Sequence, residues 1–183
     1  MRPYEVSSAF IPAQHQPLQV LEYARSRDIE PGRLLHGTGL QLADLLERPA
    51  MLSPAQYLKL LAQTAAALGS PDTSFMLGQQ ALPGHFGSVS QALTQAPTMR
   101  HALDTLVRHQ ACLSPALAPH LHTTSELAVL YWTDAFGAPG QRPFLVEMAM
   151  AAVTGMCRWL GEQRYDWTYC FNRTRPRHIE QHE

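Results

Sequence analysis

The stretch from Pro143 to Leu160 constrains the fold of this chain more than any other. Its apolar residues fall on almost every face of a helix, and Glu147 is its one formal charge before Arg158. A proline in the first turn favours a helix start, and Gly161, just past the last apolar residue, favours its end. Because a helix that is apolar on most faces must be covered on several sides, the stretch predicts a long buried helix around which the other elements pack.

The stretch is long enough to be mistaken for a membrane span. Glu147, Thr154 and Gly155 interrupt its apolar run, so a buried core helix is favoured. A carboxylate among apolar side chains is costly unless it is paired, hydrogen-bonded or protonated. Two hypotheses follow. Glu147 is a structural group held by backbone N–H groups or by an arginine such as Arg142 or Arg100, or it contacts an amine or hydroxyl of a ligand. The sequence leaves both open.

Length and charge limit the class of protein. A chain of 183 residues that is 45% hydrophobic predicts a single well-cored domain over residues 1–183. The net charge of −1 and the lack of a basic stripe argue against a domain that holds nucleic acid by itself. Charged residues make up only 16%, which indicates that a partner or further chain covers part of the surface.

Three widely spaced cysteines, Cys112, Cys157 and Cys170, predict reduced thiols rather than a disulfide framework. The N-terminus lacks the apolar core of a signal peptide. We therefore expect a cytoplasmic protein with no membrane association.

The first two thirds of the chain predict a series of helices. The clearest start is Ser53–Gln56, with a serine cap, a proline and a glutamine in the spacing of a capping box, and Gly69 ends that helix. Asp72 and Thr98 are the predicted caps of two later helices.

The apolar period then changes to two. His120–Thr124 and Leu127–Trp132 predict a β-hairpin, and the aromatic alternation over Tyr165–Phe171 predicts a third strand after the long helix. The fold class is therefore α+β: an N-terminal helical part is followed by a β-hairpin, a long buried helix and further strand(s) of an antiparallel sheet. Because such a sheet leaves an edge exposed, we expect the natural chain to continue beyond Glu183.

Several stretches, taken in order, resemble one family. They are Leu34–Leu40, Asp44-Leu45 with Pro49, Ser53–Gln56, Gly84–Leu93, Pro97–Leu103, Leu113–Pro115, Pro143–Glu147 and Pro176–His178. Together they resemble the N-terminal effector-binding ("arabinose-binding"-type) domain of AraC/XylS-family transcriptional regulators, over about residues 15–183. One departure is His182, where an aromatic residue such as tyrosine is expected.

This resemblance implies a bacterial, cytoplasmic regulator. Its sensor domain would bind a small-molecule effector of unknown identity and form a homodimer. DNA would be bound only through a C-terminal helix-turn-helix domain that lies outside this chain. It implies no enzymatic activity, no catalytic residues and no cofactor.

The expected pocket lies between the helices and the aromatic sheet, as ligand pockets of this kind often do. Its predicted lining residues are Glu147, His85, Phe86, Tyr131 and Trp132. Gly84–Gly87 precedes a helix start, where free N–H groups could meet an anionic group. Alternatively, that stretch is a linker whose Phe86 fills the core.

Other site chemistry has weaker support. His36–Gly39 is too short for a phosphate loop and predicts a tight turn with positive φ. The pairs His120/His122 and His178/His182 lack the further ligands of a tetrahedral metal site, so no metal is expected.

Three alternatives to an effector domain remain. One is a dimerisation module without a ligand. The others are a small α+β enzyme and a haem protein with His101 or His109 as ligand; the haem reading is an analogy of element order alone.

Overall fold

Within the described residues, short helices and two small antiparallel ladders precede one long helix. The computed structural model describes residues 7–47, 49–84, 86–113, 115–161 and 167–174. In order the elements are β1 Ile11–Pro12, α1 Gln16–Arg25, α2 Pro31–Leu35, α3 Leu42–Glu47, β2 Met51–Leu52, α4 Pro54–Leu68, α5 Thr73–Ala81, α6 Ser88–Thr94, α7 Met99–Arg108, α8 Gln110–Leu113, β3 Leu117–Thr123, β4 Ala128–Asp134 and α9 Arg142–Leu160. This is the predicted α+β class.

Helix α4 begins and ends where the sequence predicts. The Ser53 hydroxyl accepts the Gln56 backbone N–H, and the Gln56 side chain accepts the Ser53 N–H, which completes the capping box. Gly69 ends the helix with φ of 60°, a left-handed conformation that glycine adopts without a steric penalty. Thr98 caps α7 as predicted, through the His101 N–H. Asp72 precedes α5, but its side chain makes no capping hydrogen bond.

The predicted hairpin is β3–β4, with His120 opposite Tyr131 and Pro119 opposite Trp132. Since side chains alternate between the two faces of a strand, Leu121, Leu130 and Trp132 share the inner face, where they pack on the core. Val129 and Tyr131 share the outer face and are exposed.

Helix α9 is the predicted long buried helix, and it contributes to both hydrophobic clusters of the core. The N-terminal cluster joins β1, α1, α2 and α4 to Leu145 and Met148 of α9. The C-terminal cluster joins residues of α6, α7 and α8 to Ala152, Val153, Met156 and Cys157. Trp132 packs against both clusters and lies where they meet.

The third strand predicted over Tyr165–Phe171 is not present in residues 167–171, which form neither strand nor helix; Tyr165 and Asp166 lie outside the described residues. The described residues of this stretch instead contact helix α9 through Tyr169 and the C-terminal cluster through Trp167, which an alternation of residue types cannot indicate.

Within the described part of the chain, no helix is both long and apolar enough to cross a membrane. Helix α9 has 19 residues, but its Glu147 and Arg158 keep it within the range of a core helix.

Candidate functional site

Glu147 lies in the first half of α9 and is only 9% exposed. The Ser74 hydroxyl of α5 donates a hydrogen bond of 2.6 Å to Glu147 Oε2. The Arg173 guanidinium donates to Glu147 Oε1 and forms an ion pair with it. The carboxylate is therefore compensated by both a hydroxyl and a positive charge, which is what a buried acid requires.

An arginine does pair with Glu147, but it is Arg173 and not Arg142, one of the two examples given from the sequence. Arg142 pairs with Asp134 at 3.1 Å. Asp134 also accepts the backbone N–H groups of Phe136 and Gly137, ordering the loop before α9. Partial desolvation raises the pKa of Asp134, but these hydrogen bonds and the Arg142 charge outweigh it, so the pKa is lowered overall.

Helices α5 and α9 approach closely because small residues face each other. A Cβ atom at Gly78 would lie 2.2 Å from the Met148 carbonyl oxygen and 2.7 Å from Ala151 Cβ. A Cβ atom at Gly155 would lie 3.2 Å from the Gln79 carbonyl oxygen. This close packing brings Ser74 within reach of Glu147.

Residues 167–174 form what we call the covering segment, which returns along α9 in the opposite direction. Tyr169 makes a hydroxyl–hydroxyl hydrogen bond with Thr154, and four residues later Arg173 reaches Glu147, two turns closer to the helix start. Trp167 packs against the C-terminal cluster. Trp167, Tyr169 and Arg173 thus attach the segment, while Thr168, Cys170, Asn172 and Thr174 are exposed.

Phe86 and Trp132 are both inside the domain. Phe86 is 4% exposed within the C-terminal cluster, and its ring meets the His15 ring edge-on at 5.1 Å. Phe86 therefore fills the core, which agrees with the linker alternative for Gly84–Gly87. Burial lowers the pKa of His15, so its imidazole favours the neutral form. His85 lies outside the described residues.

Tyr131 lies on the opposite face of the hairpin from Trp132. Its ring stacks on His120 at 4.9 Å, and its side chain is 48% exposed. The structure therefore places Glu147, Phe86 and Trp132 on the inner side of the domain and Tyr131 on the outer side.

A small cavity of about 10 Å³ lies among α1, α4, α5 and α9, with Gln16, Tyr57, Gln80 and Met148 in its lining. The Tyr57 hydroxyl donates to Gln16 Oε1 at 2.8 Å, and Gln16 donates to the Leu113 carbonyl. Burial raises the pKa of Tyr57 well above its ordinary value, so the phenol stays a donor. This volume is about that of one water molecule, and a larger ligand must open the site.

A broader concavity of about 520 Å³ lies at the surface beside the His36–Gly39 turn. Gly37 and Gly39 have φ of 66° and 74°, as the sequence predicts for a tight turn. Side chains of α4 hold the turn: Lys59 donates to the Gly37 carbonyl and Gln63 to the His36 carbonyl. The turn is thus a structural element, fastened through its backbone.

The histidines considered as haem or metal ligands do not form a site in the described residues. His101 and His109 are exposed, away from the buried side of α7 formed by Ala102, Leu103 and Leu106. Of the histidines, cysteines and acidic residues that the structure describes, no three come together as a metal-binding group. His178 and His182 lie outside the described residues.

The structure by itself describes an α+β domain whose long helix α9 carries a buried acid with a hydroxyl and a guanidinium beside it. A family model described as the arabinose-binding domain of AraC transcription regulators, N-terminal, matches residues 29–183. The chain belongs to this family, and is therefore a ligand-sensing regulatory domain of the transcription-regulator type.

The match begins at Ile29, so α1 lies outside it, although the sequence resemblance extended to about residue 15. A search of curated proteins found no match to the chain.

Sequence reasoning missed Ser74 and Arg173. A signal existed for both. Arg173 continues the two-residue alternation of Trp167, Tyr169 and Phe171, and Ser74 precedes Gly78 by one helical turn on the side of α5 that faces α9.

Proposed function

We propose that this domain binds a small-molecule effector between its helices and its hairpin, and that binding controls an attached DNA-binding domain. The observation that carries the proposal is the buried carboxylate of Glu147, in a chain that belongs to an effector-binding family. A domain that needed only a stable core would gain little from an acid at this position, because replacing a buried ion pair by apolar groups is often neutral or stabilising.

The proposed pocket lies on the inner side of the domain. Glu147 supplies its polar contact, and Phe86 and Trp132 supply apolar walls. His85 remains part of the proposal from the sequence alone. Tyr131, on the outer face, would serve an effector or a partner subunit only from that side.

Trp132 has a position suited to signalling. It touches both hydrophobic clusters, so an effector that displaces or stacks on its ring changes how the clusters pack against each other. An effector shifts a conformational equilibrium only by its difference in affinity for the two arrangements. A residue shared by both clusters is where such a difference can arise.

A thermal-shift screen of the protein with amino acids, sugars and fatty acids tests the proposal. A true effector present at about a hundred times its Kd should stabilise the fold by roughly 2.7 kcal/mol. Trp132→Leu should reduce the ligand-induced shift measured from its own baseline. Trp159→Leu is the matched control, because Trp159 is 62% exposed on α9. If no compound class shifts the melting temperature, the effector proposal fails.

A dimerisation module is the second candidate function, and the outer hairpin face favours it. Leu127, Val129 and Tyr131 are exposed there at 62%, 41% and 48%. Sedimentation equilibrium of the wild type and of Val129→Lys tests this candidate function. A wild-type dimer that the substitution dissociates supports it. A wild type that is monomeric at all concentrations excludes it. A visible absorption spectrum of the protein, free of a haem band, would remove the haem alternative.

A further inference from the structure

The side chain of Gln16 joins three elements that lie far apart in the sequence. Gln16 is the first residue of α1 and is 6% exposed. Its carboxamide oxygen accepts a hydrogen bond from the Tyr57 hydroxyl of α4. Its carboxamide nitrogen donates to the Leu113 carbonyl at the end of α8. Tyr57 and Leu113 thus present one buried donor and one buried acceptor to a single carboxamide group.

These two groups select the chemistry of whatever lies between them. The last carbonyls of a helix have no partner within it, and a buried donor or acceptor that loses its hydrogen bond is destabilising. Burial raises the pKa of Tyr57 well above its ordinary value, so the phenol donates. A carboxylate could accept from Tyr57 but could not donate to Leu113. A group with an acceptor oxygen and an N–H on the same carbon does both.

The cavity among α1, α4, α5 and α9 leads from this place towards the surface. Gln16 and Tyr57 line its buried part, and Gln80, which is exposed, lines its outer part. None of the described residues in its lining is an acid, a lysine or an arginine. Because a charged group would find no compensation there, the cavity favours an uncharged ligand.

A further polar group lies next to the carboxamide of Gln16 in the sequence. The Nδ1 atom of His15 is buried and makes no hydrogen bond within the described part of the chain. The His15 ring meets Phe86 edge-on at 5.1 Å, and Phe86 is a wall of the proposed effector pocket. The place that Gln16 occupies therefore borders that pocket, where His15 offers a ligand an additional hydrogen bond.

We infer that Tyr57 and Leu113 form a binding site for a primary carboxamide, that Gln16 fills this site in the absence of effector, and that the effector carries the same group. This inference rests on the proposed function. Only hydrogen bonds are exchanged. The ligand oxygen accepts from the Tyr57 hydroxyl, the ligand nitrogen donates to the Leu113 carbonyl, and the Gln16 side chain turns away from both.

The exchange gives binding a mechanical consequence. Helix α1 keeps Val20 and Leu21 in the N-terminal cluster but loses the tie at its first residue. That tie reaches Leu113, which closely precedes strand β3 of the hairpin. The effector thus binds the arrangement in which the start of α1 is released and not the arrangement in which Gln16 is paired. That difference in affinity is what a population shift requires.

Chemical rescue tests the inference with acetamide as the probe. Gln16→Ala removes the internal carboxamide and should melt below the wild type. We expect acetamide to raise the melting temperature of Gln16→Ala by roughly 2–4 °C relative to the wild type in the same solution, as regained hydrogen bonds do in a domain of this size. Acetate has the same shape but is charged and has no N–H, so it should produce no such rise.

The double variant Gln16→Ala/Tyr57→Phe is the matched protein control, because it lacks the hydroxyl donor and should lose most of the rise with acetamide. An equal rise in the single and double variants, or no rise in either, overturns the inference. Should Gln16→Ala fail to fold, Gln16→Ser keeps a polar residue at the start of α1 and allows the same comparison.

The effector screen separates this inference from the proposed function. Among its amino acids, asparagine and glutamine carry a primary carboxamide, whereas aspartate and glutamate carry a carboxylate on the same frame. An effector with a carboxamide whose stabilising shift falls in Tyr57→Phe supports both. An effector whose shift is unchanged by Tyr57→Phe overturns the carboxamide site and leaves the sensor function standing. If no compound shifts the wild type, the sensor function fails, and the acetamide comparison still decides whether the site binds a carboxamide.

Discussion

Helix α9 is covered on two sides by very different structures. On one side α5 packs against it through glycine, with backbone and Cβ atoms so close that no side chain could be added. On a neighbouring face the covering segment reaches it through the side chains of Tyr169 and Arg173, and five of the segment's eight residues are exposed. One helix thus has one cover fixed by shape and another fixed by a few polar contacts.

The difference shows where this domain can change and where it cannot. Close packing has no intermediate state, since a small separation loses many contacts at once. A cover held by a few polar side chains loses only those contacts when it separates. Glu147 lies between the two covers and takes Ser74 from the first and Arg173 from the second.

The largest expected difference between the two covers is in hydrogen exchange. Amides in the middle of α5 and α9 should exchange only through openings close to global unfolding, because they are in a tightly packed pair of helices. Amides of exposed residues such as Thr168 and Asn172 should exchange through local openings that cost little. Exchange measured by NMR or mass spectrometry should separate the two groups by roughly a hundredfold or more. If the two groups of amides exchanged at equal rates, the two covers of α9 would not differ in stability as described.

Substitution at the close contact should give the next largest effect. Gly78→Ala places a methyl group 2.2 Å from the Met148 carbonyl oxygen, so the helices must move apart. We expect a loss of about 3 kcal/mol in the free energy of unfolding, despite the better helix propensity of alanine. Urea unfolding measures it.

Gly140→Ala is the control for that substitution. A Cβ atom there would meet no atom within 4 Å, so the change should stay within about 0.5 kcal/mol. A Gly78→Ala variant as stable as Gly140→Ala would show that the two helices are not in contact as described.

At the ion pair, the two partners should behave unequally. Arg173→Ala removes the guanidinium that pairs with the buried acid and should destabilise by about 2 kcal/mol, less than for a fully buried pair because Arg173 is a quarter exposed. Glu147→Gln leaves its cation near solvent and should cost about 1 kcal/mol. A double-mutant cycle from thermal unfolding should show coupling between them. Additive effects would place Arg173 away from Glu147 in solution.

The smallest effect is expected for Tyr169→Phe. It removes the hydroxyl contact with Thr154 but keeps the ring, and Tyr169 is 39% exposed. We expect a loss of about 0.5 kcal/mol, near the lower end for a single hydrogen bond. The same variant should raise the exchange rate of the neighbouring Thr168 amide, and an unchanged rate would indicate that Arg173 and Trp167 hold the segment without this contact.

The sequence was most informative where local chemistry decides structure. The Ser53 capping box, the Gly69 stop, the hairpin and the long helix follow from residue type and period, and the structure confirms them. The family also follows from the order of short motifs, and the matched range confirms it.

The remaining features depend on contacts between distant parts of the chain. The partners of Glu147 lie 73 residues before it and 26 after it, and no local pattern fixes such a distance. The aromatic alternation after α9 predicted a strand because an extended segment has the same period whether it pairs with a strand or lies on a helix. Likewise, the sequence places Tyr131 and Trp132 side by side, but only the pairing of β3 with β4 shows which of them faces inward.

The sharing of α9 between the two hydrophobic clusters has a consequence for how the domain melts. Unfolding of either cluster would expose the apolar residues of α9 that pack in it. We therefore expect that neither cluster can unfold while the other stays intact. Calorimetry should therefore record a single transition whose van't Hoff and calorimetric enthalpies agree, as for a small two-state protein.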